Sequence, residues 1–484
     1  MTDTELQRVS TGTAGLDRVT DGGVIAERTY VLSGPAGSGK TLLALSFLAA
    51  TPDDETALLI NLEEDIDDMR RNAAQLGIDL SAVEIRDLSP TASTFTEEGT
   101  YDMFEPDEVE SGTFRETVRE AVADVSPDRV VVDPITQLHY LTPDTYQFRQ
   151  QVLGLSRFLT DRAATVVLTA QDSDHVPVED LQFVTDGHVV LDPTGPVNRV
   201  DVPKLRGSGT LPGDHAYRID DDGVTVYPAL GPGDRTVEPD METVTTGVDA
   251  LDELLGGGLE RGTTTVVAGP TGVGKTTLAT QFASAAAARG ERTVLYLFEE
   301  RWPSFRRRSE ALGIPVVEMQ AEGLLEVVEV EPLRYSPQEF AAQVQSAVED
   351  RGAEVVGVDG ITGYQLTLQG QQDRLTQELH ALCRYLNNAG VTTLLTDETD
   401  GVTGEFSATD SGVSYIVDTI LFVRYVEVGG EIRKAAGVLK KRTSGFERAL
   451  REFEIGADGI ELGEPMRGLQ GILTGSPQIV DDEG

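Results

Sequence analysis

Along the chain, short runs of β-branched and aliphatic residues alternate with longer stretches in which apolar positions return every three or four residues. Thr29-Tyr30-Val31-Leu32-Ser33, Ala57-Leu58-Leu59-Ile60-Asn61, Val130-Val131-Val132-Asp133 and Thr165-Val166-Val167-Leu168-Thr169 are apolar without polar alternation. A strand with one wet face would alternate, so these runs predict strands buried on both faces. Between them, helical spacing runs from Thr41 to Ala50 and from Tyr146 to Ala163. Strand and helix in turn predict an α/β fold with mostly parallel, helix-flanked sheets joined by right-handed crossovers. Ligands of such sheets bind beyond the carboxyl ends of the strands.

The pattern occurs twice. Thr11-Gly12-Thr13-Ala14-Gly15-Leu16-Asp17 returns as Thr246-Gly247-Val248-Asp249-Ala250-Leu251-Asp252, and Gly34-Pro35-Ala36-Gly37-Ser38-Gly39-Lys40-Thr41 returns as Gly269-Pro270-Thr271-Gly272-Val273-Gly274-Lys275-Thr276. The two lysines are 275 − 40 = 235 apart, the pairs Glu63-Glu64 and Glu299-Glu300 are 299 − 63 = 236 apart, and Lys204 and Lys440 are 440 − 204 = 236 apart. A constant offset is the mark of a duplication. The Gly231-Pro232-Gly233-Asp234 cluster marks the break, dividing the chain into domains 1–230 and 235–484, and 484 residues exceed what one core holds. From loop lysine to strand-end aspartate the halves differ, 133 − 40 = 93 against 359 − 275 = 84, and the surplus is expected as an acidic loop over Ser89 to Gly112.

Composition then narrows the classes of function. The formal net charge is −43, with 82 acidic against 39 basic residues over the whole chain, the excess spread through both halves. Such a surface argues against broad contact with nucleic acid or an anionic membrane and reads as adaptation to concentrated salt, where like charges are screened. Cys383 is the only cysteine, which rules out an intrachain disulfide, and is expected buried on a helix. The five histidines lack ligand spacing. No apolar run is long enough to span a membrane and the amino terminus is acidic, so the chain reads as cytoplasmic.

The chemistry lies in what the duplication retains. A G-x-x-x-x-G-K-[ST] run between a strand and a helix is the P-loop. Gly34, Gly37, Ser38 and Gly39, and likewise Gly269, Gly272, Val273 and Gly274, let successive N–H groups converge on phosphates at a helix N-terminus. Lys40 and Lys275 then reach the β- and γ-phosphates of ATP, while Thr41 and Thr276 ligate Mg²⁺. Asp133 and Asp359 end apolar strands and hold the metal or its water. Glu63-Glu64 and Glu299-Glu300 follow the second strand of each half and are candidates to orient or deprotonate the attacking water. Lys204, Arg206, Lys440 and Arg442 close a late strand in each half, and supply the cations that such a site takes from a neighbouring subunit.

This order of motifs, twice over, resembles the KaiC family of RecA-type ATPases. The resemblance implies a homohexamer of stacked rings with ATP bound between subunits, and Lys204, Arg206, Lys440 and Arg442 acting on the neighbour's nucleotide. It further implies a slow ATPase in the first domain and, in the second, autophosphorylation on Ser/Thr, for which Ser414 stands at the serine acceptor position beside Thr409-Asp410-Ser411. Tyr415 replaces the threonine acceptor, Thr443 replaces a glycine, and the chain ends soon after Gly475-Ser476-Pro477 without the family's extended partner-binding tail. The expected function is therefore a regulatory ring ATPase read by a protein partner. The competing readings are a RecA-type DNA-handling ATPase, disfavoured by the scarcity of basic residues, and a nucleotide-binding scaffold that turns over little.

Overall fold

The computed structural model describes residues 6–89, 106–141, 144–172, 178–231, 242–367, 374–399, 413–428, 430–456, 459–466, 469–470 and 478–479. Two compact units divide at Ala229/Leu230.

In the first unit the sheet is built from β1 (Thr29–Gly34), β2 (Ala57–Asn61), β3 (Val83–Asp87), β4 (Arg129–Asp133), β5 (Thr165–Gln171), β6 (Gly187–Asp192), β7 (Arg199–Leu205), β8 (His215–Asp220) and β9 (Gly223–Tyr227). Their order across the sheet is β9-β8-β7-β6-β1-β5-β4-β2-β3. The six strands from β6 to β3 run parallel and the last three add antiparallel. Helices α1 (Lys40–Ala49), α2 (Ile66–Gln75), α3 (Pro106–Val125) and α4 (Thr145–Thr160) connect them.

Period-2 geometry sends alternate side chains to opposite faces, and both faces are dry. Tyr30, Leu32, Leu59 and Val131 pack with Leu43 and Phe47 of α1. Val31, Leu58, Ile60, Val130 and Val132 pack with Val118 of α3 and Phe148 and Val152 of α4. This is why the runs show no alternation. The loop expected over 89–112 is corrected in its second part, since α3 begins at Pro106; positions 90–105 lie outside the described residues.

The second unit repeats the plan with β10 (Thr264–Gly269), α5 (Lys275–Ala288), β11 (Thr293–Leu297), α6 (Trp302–Ala311), β12 (Leu325–Glu329), α7 (Pro337–Glu349), β13 (Val355–Asp359), α8 (Leu375–Asn388), β14 (Thr392–Glu398), β15 (Thr419–Val428), β16 (Glu431–Lys441), β17 (Arg451–Gly456) and β18 (Gly459–Pro465). The order is β12-β11-β13-β14-β10-β15-β16-β17-β18. One face holds an aromatic cluster in which Phe340 meets Tyr296 and Phe298 edge-on at 5.0 and 5.1 Å, a geometry favoured by ring quadrupoles. Cys383 is buried in α8.

The repeated Thr-Gly-x-x-x-Leu-Asp motif is structural. Asp17 Oδ1 accepts from Thr11 N at 2.7 Å and Thr11 Oγ1 at 2.6 Å, and Asp252 Oδ1 does the same with Thr246 at 2.8 and 2.7 Å. Gly12 takes a positive φ against the carbonyl of Ser46, where a Cβ would lie 2.1 Å from the oxygen. The motif therefore clamps the chain start beneath α1, the helix that carries the phosphate loop. Among the described residues no helix is long and apolar enough to cross a membrane.

Candidate functional site

Each glycine loop leaves the carboxyl end of the central strand, β1 or β10, and enters α1 or α5. Gly37 and Gly39 have φ of 74° and 91°, and Gly272 and Gly274 have 75° and 121°, a backbone that side-chain-bearing residues rarely adopt. At Gly34 an added Cβ would lie 2.5 Å from the carbonyl oxygen of Leu191. Lys40 Nζ donates to Pro35 O at 2.7 Å, and Lys275 Nζ to Gly269 O and Pro270 O at 2.8 and 3.1 Å, so both ammonium groups lie over their own loops. Burial lowers the pKa of both lysines, opposed by nearby carboxylates, chiefly Asp133 and Glu63 in one half and Glu398 and Glu299 in the other.

Asp133 and Asp359 are buried at the ends of β4 and β13. Neither strand adjoins the loop-bearing strand, because β5 and β14 lie between. The gap is bridged by hydroxyls from both sides: Thr276 Oγ1 donates to Asp359 Oδ1 at 3.1 Å, and Thr396 Oγ1 donates to the same oxygen at 2.7 Å. In the first half Thr169 and Thr41 donate to Asp133. Burial raises the pKa of both aspartates and these hydroxyls pull it back.

The glutamate pairs are set beside these aspartates by the backbone, since Leu62 N donates to Asp133 O at 2.8 Å and Phe298 N to Asp359 O at 3.1 Å. Beyond that anchor the halves differ. Arg308 of α6 pairs with Glu300 at 2.6 Å, and the corresponding position of α2 is Asn72, 308 − 236 = 72. Without that cation, burial and the neighbours Asp133 and Glu63 raise the Glu64 pKa. In the second half the raised group is Glu299, through burial and then Asp359 and Glu398. Glu63 accepts from Gln137 Nε2 at 3.1 Å.

Lys204, Arg206, Lys440 and Arg442 are not brought to their own loops. His188 pairs with Lys204 and Gly187 with Leu205, at the amino-terminal end of β6, whereas the loop follows the carboxyl end of β1. Ile420 pairs with Lys440 in the same way at the start of β15. The basic pair thus sits at the sheet edge opposite its own phosphate loop, about 10–15 Å away by strand rise. There Lys440 Nζ donates to Ser414 O and Val417 O at 2.7 and 2.6 Å, and Arg442 reaches Tyr415 O at 2.7 Å and Asp418 at 3.6 Å. Lys204 donates to Gln182 O and Thr185 O, and Arg206 pairs with Asp186 at 3.5 Å. Ser414 shares that far edge; Thr409-Asp410-Ser411 lies outside the described residues. Lys441, inside the same basic run, is structural, buried against Glu260 at 3.0 Å.

Sequence reasoning missed Thr169 and Thr396. The signal was present, for they recur at 396 − 169 = 227 beside aspartates separated by 359 − 133 = 226. It also missed His188, buried 2.6 Å from Ser33 Oγ, with Nδ1 unpartnered. Burial lowers the His188 pKa, helped by Lys204 and opposed by Asp201 and Asp172. The folded ring therefore takes up a proton only at lower pH than an unfolded histidine, which protonates near pH 6.5, so stability falls as pH drops below that value. Unfolding free energies from denaturant titrations at pH 7.5 and 5.5 are expected to differ more in the native chain than in His188→Gln, by at most about 1.4 kcal/mol per pH unit.

The loops fit a triphosphate and its metal: convergent N–H groups at a helix N-terminus, a lysine above them, and a threonine–aspartate oxygen pair. Among the described residues no group of three or more His, Cys, Asp or Glu could hold a metal by itself. That donor set suits Mg²⁺, which is bound through one or two protein oxygens together with phosphates.

Comparison with known proteins places the whole chain in a family. The family described as "ATPase: KaiC" matches residues 9–231 and again 244–467. The "Circadian clock oscillator protein KaiC" of Acaryochloris marina is 28% identical over 98% of this chain and 92% of its own length. That of Prochlorococcus marinus is 29% identical over 99% and 95%, and "Circadian clock oscillator protein KaiC 1" of Synechocystis is 28% identical over 98% and 92%.

Proposed function

The chain belongs to the KaiC family of ATPases, and from that premise we propose that each half hydrolyses Mg-ATP at a site shared between two protomers of a ring, the ring serving as a regulatory assembly. One observation carries the reading: Lys204, Arg206, Lys440 and Arg442 stand at the edge of each sheet opposite their own phosphate loop. A cation there is too far to serve its own nucleotide, and well placed to serve another protomer's.

In this reading Lys40 and Lys275 hold the β- and γ-phosphates, with Thr41–Asp133 and Thr276–Asp359 as the metal's protein oxygens. Mg²⁺, bound with the nucleotide, neutralises charge on the phosphoryl oxygens. In the second site Glu299 takes the proton of the attacking water, since Glu300 is engaged by Arg308. In the first, Glu63 and Glu64 share the task, and burial with the neighbouring carboxylates raises the Glu64 pKa. The arginines of the adjoining protomer meet the charge of the transition state. Ser414 lies on the same far edge as Lys440, so a phosphate it accepts comes from the neighbour's ATP.

Sizing the chain with Mg-ATP and with EDTA, alongside phosphate release and labelling from γ-labelled ATP, tests this. A ring-sized species that turns over ATP only in its assembled, metal-loaded form is expected, with label lost in Ser414→Ala. A monomer hydrolysing ATP at the full rate refutes the shared site.

A further inference from the structure

The two cradles differ at their rim. The second loop has Thr271 where the first has Ala36, 271 − 235 = 36. Strand β14 ends in Asp397-Glu398 where β5 ends in Ala170-Gln171, 397 − 170 = 398 − 171 = 227. These positions are neighbours in space. Gly269 pairs with Glu398 across the sheet as Gly34 pairs with Gln171, which sets residue 398 beside the first glycine of the loop. The Thr271 hydroxyl donates to Glu398 Oε1, fastening the carboxylate to the loop itself. Ala36 has no hydroxyl and Gln171 no charge, so the first half lacks this loop-to-carboxylate contact; the acidic residue at its rim is Asp172, whose N–H donates to Gly34 O at 3.0 Å.

The charge matters because of what surrounds it. Glu398 is foremost among the carboxylates acting on Lys275, ahead of Glu299, Asp359 and the buried Asp397. The first lysine is faced by Asp133, Glu63 and Asp172. A carboxylate held on the rim repels the negative charge of an incoming triphosphate and offsets part of the attraction of Lys275.

We infer that Glu398 is a specificity-determining residue of the second cradle: held to the loop by Thr271, it makes that site bind nucleotide more weakly, and more dependently on a divalent cation and on salt, than the same site would without the charge. The inference rests on reading the loops as ATP cradles. Neutralising one like charge at such range, with an effective dielectric between that of protein and water, is worth roughly a tenfold change in affinity. Added salt screens it.

The test uses the full chain carrying Lys40→Ala, so that the second site reports, with a fluorescent ATP analogue as the probe. Binding is titrated in 0.1 M and 1 M KCl, with and without Mg²⁺, with circular dichroism verifying the fold. Glu398→Gln is expected to bind roughly tenfold tighter than its parent in 0.1 M salt without Mg²⁺. The gap narrows in 1 M salt and with Mg²⁺. Glu398→Asp, which keeps the charge, stays weak, and Thr271→Ala, which frees the carboxylate from the loop, falls between. Equal affinity of Glu398→Gln and parent in 0.1 M salt overturns the inference, as does a gap that salt leaves unchanged. Adding Lys275→Ala separates the two claims. If it abolishes binding while Glu398→Gln changes nothing, only the role of Glu398 is lost. If binding survives Lys275→Ala, the cradle reading itself falls.

Discussion

Replacing Glu299 by Gln is expected to slow phosphate release at the second site by about 10²- to 10⁴-fold, the ordinary contribution of a positioned proton acceptor, while ATP stays bound. The geometry singles out this residue within its pair. Glu300 is ion-paired with Arg308 at 2.6 Å, so its carboxylate is directed toward α6. Glu299 lies against Gly360, where a Cβ would meet its carboxyl at 2.8 Å, which places it directly beside Asp359. Burial, Asp359 and Glu398 hold its pKa above the usual glutamate range, bringing it toward the working pH, where proton acceptance is most effective. Glu300→Gln should cost much less. Phosphate release in a Lys40→Ala background isolates this site. Wild-type turnover in Glu299→Gln, with loss in Glu300→Gln, would reverse the assignment.

The pair's place beside the strand-end aspartate was legible in the sequence, and the contact with Arg308 that sets its two members apart was not. Offsets of 235 and 236 picked out the loops, glutamates and late basic pairs because a duplication conserves spacing wherever the backbone is conserved. The buried runs gave the strands, since a parallel sheet covered on both faces leaves no polar alternation to misread. Strand order is different. That β5 and β14 separate the loop strand from the aspartate strand is a property of crossovers, and it is what assigns Thr169 and Thr396 to the strand-end aspartates. The exchange of Arg308 for Asn72 became meaningful only once α6 was seen to reach back to Glu300. Likewise α3 was hidden in an acidic, Thr- and Gly-rich stretch whose apolar side is carried by few residues, among them the buried Val118, Ala121 and Val122.

The opposite-edge placement of the basic pairs leads to the largest expected effect. The double variant Arg206→Ala/Arg442→Ala should lose about 10³-fold or more of its turnover, the scale of an arginine donated in trans. Lys40→Ala/Lys275→Ala should be inactive because its own cradles cannot hold the phosphates. Mixed and reassembled in equal amounts, the two inactive proteins are expected to recover activity. A working site forms wherever a protomer with intact loops is followed by one with intact arginines, and random assortment around a closed ring gives that arrangement at about a quarter of the interfaces. No arrangement within one chain can produce this recovery, because each variant lacks half of what its own domain needs. If the arginines served their own loops, or only pinned the 414–418 segment through Tyr415 O and Asp418, the mixture would stay as inactive as its parts even when rings form. The recovered rate therefore reports directly on whether the far edge of one sheet completes the site of another.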